Sequence, residues 1–210
     1  MNVTKGIIHR NIEELRILWD NSNRNPRKQF FYAKLALLEL CGWIEETMDE
    51  IVINYIDKNI TTIATQTKLK NRLDGIFSFA YDKFRSILID SFTDSLLEQY
   101  NTRLTSNWSC KFLNATHSIT DENEKRKIIK NIVNRHITNI ENELNISGKF
   151  SILTSTLSTL KNARDTFAHT HTKKGVIPTY DSPMVVKTYF DNVYDCLYEF
   201  EKILNKRKIR

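Results

Sequence analysis

The sequence predicts an all-α protein, a bundle of about five to six helices, formed by one domain over residues 1–210. Two observations predict this class. Only 5 glycines and 3 prolines occur among 210 residues, whereas folds rich in tight turns use many more of both. Apolar residues also recur at intervals of three and four through most of the chain, which is the spacing of helices with one buried face.

The composition is that of a globular domain. Hydrophobic residues make up 40% of the chain and charged residues 27%, which supports one core and excludes a disordered chain. No apolar run reaches the ~20 residues of a membrane-spanning helix, and the charged N-terminus is unlike a secretory signal. Cys41, Cys110 and Cys196 form no CxxC pair, so we expect a cytoplasmic protein without a disulfide framework or a metal site.

Three helices are predicted in the first half of the chain. The first runs from about Thr4 to Asp20 and ends at the loop NSNRNP. The second covers about Arg27–Lys58, and the polar stretch NITTIATQT separates it from a third over about Leu69–Tyr100. The second helix carries a stripe typical of bundle packing, formed by Leu37, Cys41, Ile44, Met48, Ile51 and Tyr55.

Three further helices are predicted after an irregular connection over residues 101–120. Asp121 followed by Glu124 resembles a capping box and predicts a helix to about Leu144. The next helix covers about Phe150–Thr170 and leads into the loop KKGVIPTYDS. Ser182 and Pro183 predict the start of the last helix. Its apolar stripe comprises Val186, Phe190, Val193, Leu197, Phe200 and Leu204.

The stretch NARDTFAHTH places a cation where helical spacing predicts an apolar side chain. Arg164 lies in the middle of a stripe formed by Leu153, Leu157, Leu160 and Phe167. An arginine in such a position must be paired, must extend its head group to solvent, or must face another chain or an anionic ligand. The position therefore marks a candidate site.

A polar column runs beside this stripe, formed by Ser158, Asn162, Asp165 and His169. Asp165 and His169 are four residues apart and can interact on one helix. Arg164 and His169 are five residues apart and point about 140° away from each other on an ideal helix. A single motif helix is therefore a poor catalyst. His171 is either a catalytic helper or an exposed loop residue.

The segment RDTFAH resembles the R-x4-H motif of the HEPN superfamily, in which a polar residue follows the arginine. The matching residues are Arg164, Asp165 and His169, and the position of the motif on a late helix of a helical bundle is similar as well. The resemblance implies a single-domain prokaryotic protein of a toxin–antitoxin or phage-defence locus. It further implies a metal-independent, cofactor-free endoribonuclease that acts as a homodimer, with an antitoxin or sensor protein as a partner.

The resemblance also implies roles for the motif residues. Histidine titrates near neutral pH, so His169 would serve as general acid or base, and Arg164 would stabilise the charged transition state. Asp165 would orient His169. Two motif helices across a two-fold axis would supply two copies of each group, and part of the stripe around Arg164 would then be the dimer interface.

The net charge of +6 favours a polyanionic partner, and solvated surface lysines are the alternative explanation of a charge balance of this size. The basic residues near the motif and at the C-terminus are the predicted RNA contacts: Lys173, Lys174, Lys206, Arg207 and Lys208. The C-terminal run has a second explanation, because cations are also favourable at the C-terminal end of a helix.

Two other hypotheses fit the same residues. In one, the chain is a non-catalytic helical module that binds nucleotide, RNA or a partner protein through Arg164 and His169. In the other, it is a structural helical adaptor in which Arg164 forms a salt bridge with an acidic residue of a neighbouring helix.

Overall fold

The structure, a computed structural model, describes residues 5–73, 81–103, 119–169 and 181–206. Seven helices occur in these ranges, and no strand occurs in them. In chain order they are α1 Gly6–Asp20, α2 Pro26–Asn59, α3 Ile63–Leu73, α4 Tyr81–Arg103, α5 Glu122–Ile146, α6 Lys149–His169 and α7 Pro183–Lys206. The all-α class is confirmed, and the seven described helices exceed the predicted five to six. The single domain over residues 1–210 stays a prediction.

The long helix α2 is the axis of the bundle. It packs against α1, α4, α6 and α7, while α5 packs against α4, α6 and α7. Every member of the predicted α2 stripe from Leu37 to Ile51 is buried, and Tyr55 is half-buried and stacked on Phe92 of α4. The predicted α7 stripe, from Val186 to Leu204, is buried as well. Two amphipathic helices therefore supply much of one core.

Short polar signals set the start of two helices. The side chain of Asn25 accepts hydrogen bonds from the backbone N–H groups of Arg27 and Lys28, so α2 begins at Pro26. Asp121 accepts from the backbone N–H of Asn123 and caps α5, as its position predicts. Helices α2 and α5 therefore begin within one residue of where the sequence places them.

The region predicted as one helix over Leu69–Tyr100 contains two described helices instead. Helix α3 begins at Ile63, inside the stretch predicted as a connection. The carboxylate of Glu98, on α4, accepts hydrogen bonds from the backbone N–H groups of Thr61 and Thr62 at 2.8 and 2.6 Å. This distant residue satisfies donors that a helix start leaves unpaired, which a local pattern does not reveal.

Helices α4 and α5 are joined by a network around the buried carboxylate of Glu141. Arg85 donates to both of its oxygens, at 2.6 and 3.3 Å, and the Tyr81 hydroxyl donates at 2.7 Å. The other guanidinium nitrogens of Arg85 donate to Asn134 and Thr138. Burial and the charge of Glu141 raise the pKa of Tyr81, so the phenol keeps the proton that it donates.

Helix α6 is positioned by a short turn after α5. Gly148 has a φ of 73°, a left-handed conformation that glycine adopts without steric cost. The backbone N–H of Gly148 donates to the carbonyl of Asn145 at 2.9 Å. This turn returns the chain so that α6 packs against α5 and α2.

Several sequence expectations fall outside the described residues, namely the connection over residues 104–118, the loop over residues 170–180 and Cys110. Cys41 and Cys196 are buried free thiols. None of the helices in the described ranges has the length and apolar character needed to cross a membrane.

Replacing Glu98 with glutamine is expected to lower the free energy of unfolding by about 1 kcal/mol. Burial acts to raise the pKa of Glu98, but the hydrogen bonds from Thr62 and Thr61 outweigh it, and the net pKa is lowered. A lowered folded-state pKa means that this stabilisation is present above the unfolded-state pKa and is lost as pH falls through the folded-state pKa.

Urea unfolding of both proteins over a series of pH values measures this effect. The difference between wild type and Glu98→Gln should be largest near neutral pH and should disappear in acid. The matched control is Glu46→Gln, which removes the charge of an exposed glutamate of α2 and should change stability by less than about 0.5 kcal/mol. A difference that is independent of pH would contradict the assignment.

Candidate functional site

Arg164 lies among buried apolar residues of α6, as the helical spacing predicts. The exposed fractions of Leu153, Leu157, Leu160 and Phe167 are 0, 2, 0 and 5%. The side chain of Arg164 keeps 29% of its surface exposed, so it sits at the edge of the core. The expectation that part of this stripe is a dimer interface is wrong, because the apolar members already pack inside their own chain.

The guanidinium of Arg164 is paired with Glu45 of α2. Its Nη1 donates to Oε1 of Glu45 at 2.6 Å, and the Glu45 side chain is 31% exposed. Arginine carries five N–H donors, and among the described residues no other hydrogen bond of this guanidinium is recorded. Of the possibilities open to an arginine on an apolar stripe, Arg164 shows two, because it is paired within the chain and its side chain is partly exposed to solvent.

The polar column of α6 is exposed where the structure describes it. Ser158, Asn162 and Asp165 all face solvent. Helix α6 continues to His169, so Asp165 and His169 are four residues apart on one unbroken helix. The side chain of His169 lies outside the described part of the structure. The two neighbouring side chains therefore point in different directions. Arg164 contacts Glu45 of α2, and Asp165 faces solvent.

The other predicted site residues are only partly covered by the structure. Lys206 is the last residue of α7 and is exposed. His171, Lys173, Lys174, Arg207 and Lys208 lie outside the described residues. Their roles stay predictions.

Two further residues of α2 contact the end of the motif helix. Lys34 Nζ lies 3.5 Å from the carbonyl oxygen of Phe167, where the last turn of a helix has carbonyls without partners inside the helix. The Phe30 ring packs edge-to-face on Phe167, with 5.5 Å between centroids. The sequence signal for these contacts is weak, because Lys34 and Phe167 are 133 residues apart.

A cavity of about 220 Å³ adjoins the motif helix. Its walls come from α2, α6, α7 and the segment just before α7: Leu37, Asn162, Ala163, Thr166, Phe167, Asp181 and Val186. Asn162 is the one member of the polar column that lines this cavity among the described residues, and Asp165 is not part of the lining. Within the four described ranges, no group of three or more His, Cys, Asp or Glu side chains is placed to hold a metal ion.

The family model described as RiboL-PSP-HEPN matches residues 8–206. The match runs from within α1 to the end of α7 and includes the whole RDTFAH segment. It confirms the resemblance to the HEPN superfamily and is compatible with a ribonuclease or a nucleotide-binding module. No curated protein and no solved structure matches the chain significantly.

A double-mutant cycle on Arg164 and Glu45 is expected to show a coupling free energy of about 1 kcal/mol, because the pair is close but only partly withdrawn from water. Urea unfolding of Arg164→Ala, Glu45→Ala and the double variant gives the value. The control cycle uses Lys187 and Asp191, which lie four residues apart on α7 with Nζ and Oδ2 separated by 3.0 Å. Their coupling free energy should be about 0.3–0.5 kcal/mol. A coupling near zero for Arg164 and Glu45 would show that the bridge does not tie α6 to α2.

The Cys41 thiol is expected to be unreactive despite its place beside the site. Burial raises its pKa to about 12, and the nearby charge of Arg164 only partly opposes this effect. A protonated thiol is a poor nucleophile. Mass spectrometry after iodoacetamide treatment should find Cys41 unmodified in the native protein and modified in urea. Fast alkylation of the native protein would refute the buried placement.

Proposed function

The chain belongs to the RiboL-PSP-HEPN family, and we propose that it is a metal-independent endoribonuclease of a toxin–antitoxin or phage-defence system. The proposed reaction is attack of a ribose 2′-OH on the adjacent phosphate, which leaves a 2′,3′-cyclic phosphate end. The observation that supports it is the arrangement of α6, where Glu45 holds a partly exposed Arg164 while Asp165 faces solvent on the helix that ends at His169.

Proton transfer and charge stabilisation are the two requirements of this reaction. The 2′-oxygen bonds to phosphorus as the bond from phosphorus to the 5′-oxygen breaks. One His169 takes the 2′-OH proton and a second protonates the leaving oxygen, and such transfers typically contribute about 10²–10⁴-fold in rate. Arg164 donates to the non-bridging oxygens, where negative charge builds up. Asp165 orients His169 as a positioning residue.

A homodimer supplies the second histidine. On an ideal helix Arg164 points about 140° away from His169, so one motif helix does not surround a phosphate, whereas two helices across a two-fold axis do. Because the apolar stripe of α6 is core, the proposed two-fold contact uses the exposed flank of the helix.

Glu45 has a positioning role in this proposal. Its carboxylate keeps the Arg164 guanidinium at the surface before the substrate binds. A phosphate then binds donors of the guanidinium that Glu45 does not occupy, so the cation stays paired throughout. Such an arrangement avoids an unpaired cation at the edge of the core.

The remaining basic residues bind the RNA backbone in this proposal. Lys173, Lys174, Lys206, Arg207 and Lys208 supply charge that is independent of base sequence. A nuclease of this kind needs restraint in its own cell, so an antitoxin or an associated sensor protein is the proposed regulator.

One observation favours a second candidate function. The bridge from Arg164 to Glu45 lies within a single chain, as a structural or non-catalytic module requires. In such a module the same arginine holds a helix in place or binds the phosphate of a nucleotide or RNA, and no bond is cleaved.

Incubation of RNA with purified protein in excess EDTA distinguishes these functions. Wild type should cleave and leave cyclic phosphate ends, while His169→Ala and Arg164→Ala should each lose about 10²-fold or more in rate. The matched control is Arg135→Ala, which removes an exposed arginine of α5 and should retain activity.

Equal cleavage by wild type and both motif variants would refute the proposal, and RNA binding without cleavage would support the second candidate. Light scattering tests the proposed dimer, since an active protein that is monomeric at assay concentrations contradicts the composite site.

A further inference from the structure

The first turns of α2 carry a basic surface with no acidic residue nearby in sequence. Between Asn21 and Leu38 the chain contains four cations and no aspartate or glutamate. The cations are Arg24, Arg27, Lys28 and Lys34, and the first three are exposed. Within the described ranges no ion pair of Arg24, Arg27 or Lys28 is recorded. Among the described residues, the positive charge of these three side chains is therefore not neutralised by an ion pair.

Phe31 lies among these cations and is 59% exposed. Its ring makes an edge contact with Tyr32 at 5.9 Å between centroids, which leaves much of the ring in water. Arg27, Lys28 and Lys34 are four, three and three residues from Phe31, so all three lie on its side of the helix. A single exposed apolar side chain is common. An exposed aromatic ring surrounded by cations, however, is the combination that binds single-stranded nucleic acid.

This surface is continuous with the motif helix. Lys34 Nζ is 3.5 Å from the carbonyl oxygen of Phe167, and Phe30 packs on the ring of the same residue. Helix α6 ends at His169, two residues later. Arg27 lies about 10 Å along α2 from Lys34 at 1.5 Å per residue. A strand that leaves the motif can therefore follow α2 toward its N-terminus.

The surface changes sign further along α2. Glu39, Glu46 and Glu50 line a cavity of about 490 Å³ between α1 and α2. A polyanion is repelled from that part of the helix and attracted to the first turns. The charge pattern of α2 therefore favours a path of the bound strand toward the N-terminal end of the helix.

We propose that Arg24, Arg27, Lys28, Phe31 and Lys34 form a platform for single-stranded RNA beside the motif, here called the α2 platform. An unpaired base stacks on Phe31, and the adjacent phosphates contact Arg27 and Lys28. The identity of the polyanion rests on the proposed function, and the platform narrows the substrate to unpaired RNA, because a duplex keeps its base faces stacked inside.

The test measures binding in a His169→Ala background, where cleavage does not consume the RNA. Fluorescence anisotropy compares a short labelled single strand with the same strand annealed to its complement. Single-stranded RNA should bind more tightly. Phe31→Ala should weaken that binding about 10-fold and leave the affinity for the duplex unchanged. Phe31→Trp should bind single-stranded RNA at least as tightly as the protein with Phe31, because tryptophan also provides a stacking surface.

The matched control is Ile63→Ala, which truncates a side chain that is 77% exposed at the start of α3 and should not change affinity. Arg27→Ala combined with Lys28→Ala should reduce the slope of affinity against salt concentration, because fewer counterions are released. Three results would each overturn the α2 platform. The Phe31→Ala variant could bind the single strand as tightly as its parent protein, the parent protein could prefer the duplex, or the parent protein could bind no RNA at all.

Failure of the platform and failure of the nuclease give different results. A protein that does not cleave RNA but binds single strands through Phe31 keeps the platform and loses the catalytic proposal. A protein that cleaves RNA while Phe31→Ala changes neither binding nor rate keeps the catalytic proposal and loses the platform.

Discussion

The salt bridge between Arg164 and Glu45 is the contact on which the candidate site depends. A cation on an otherwise apolar stripe is unfavourable unless it is paired or reaches water, and Arg164 does both, with 29% of its side chain exposed. The bridge lets the leucines of α6 remain core residues while a positive charge stays at the surface. The same contact joins α6 to α2, so the position of the motif helix and the state of its arginine are set together.

The sequence predicted most of the helices because their signals are local. The stripes of α2 and α7 repeat every three or four residues, and the caps at Asn25 and Asp121 act on the next few N–H groups. What it missed depends on distant partners. Glu98 satisfies the start of α3 from 36 residues away, and Glu45 reaches Arg164 across 119 residues. A helical wheel shows that Arg164 needs a partner, but it does not distinguish a partner in the same chain from one in a second chain.

Helix α2 does more than fill the core. Its buried stripe organises the bundle, its acidic middle contains the partner of Arg164, and its first turns are basic. Because these features lie on one rigid element, the distances between them are fixed by helical geometry rather than by loops. A site built on α2 and α6 therefore needs little reorganisation before it binds an anion, and preorganisation of this kind is what electrostatic stabilisation requires.

The turn between α5 and α6 limits where insertions and deletions can occur in this chain. It consists of Ser147 and Gly148, and a Cβ at Gly148 would meet nothing within 4 Å, so the constraint there is the backbone conformation alone. One residue inserted in the first turn of α6, with Ser147 and Gly148 unchanged, would shift every later residue by about 100° around the helix. Arg164 would leave Glu45, and a leucine face would be exposed in its place. Insertions and deletions in related chains should therefore spare this junction.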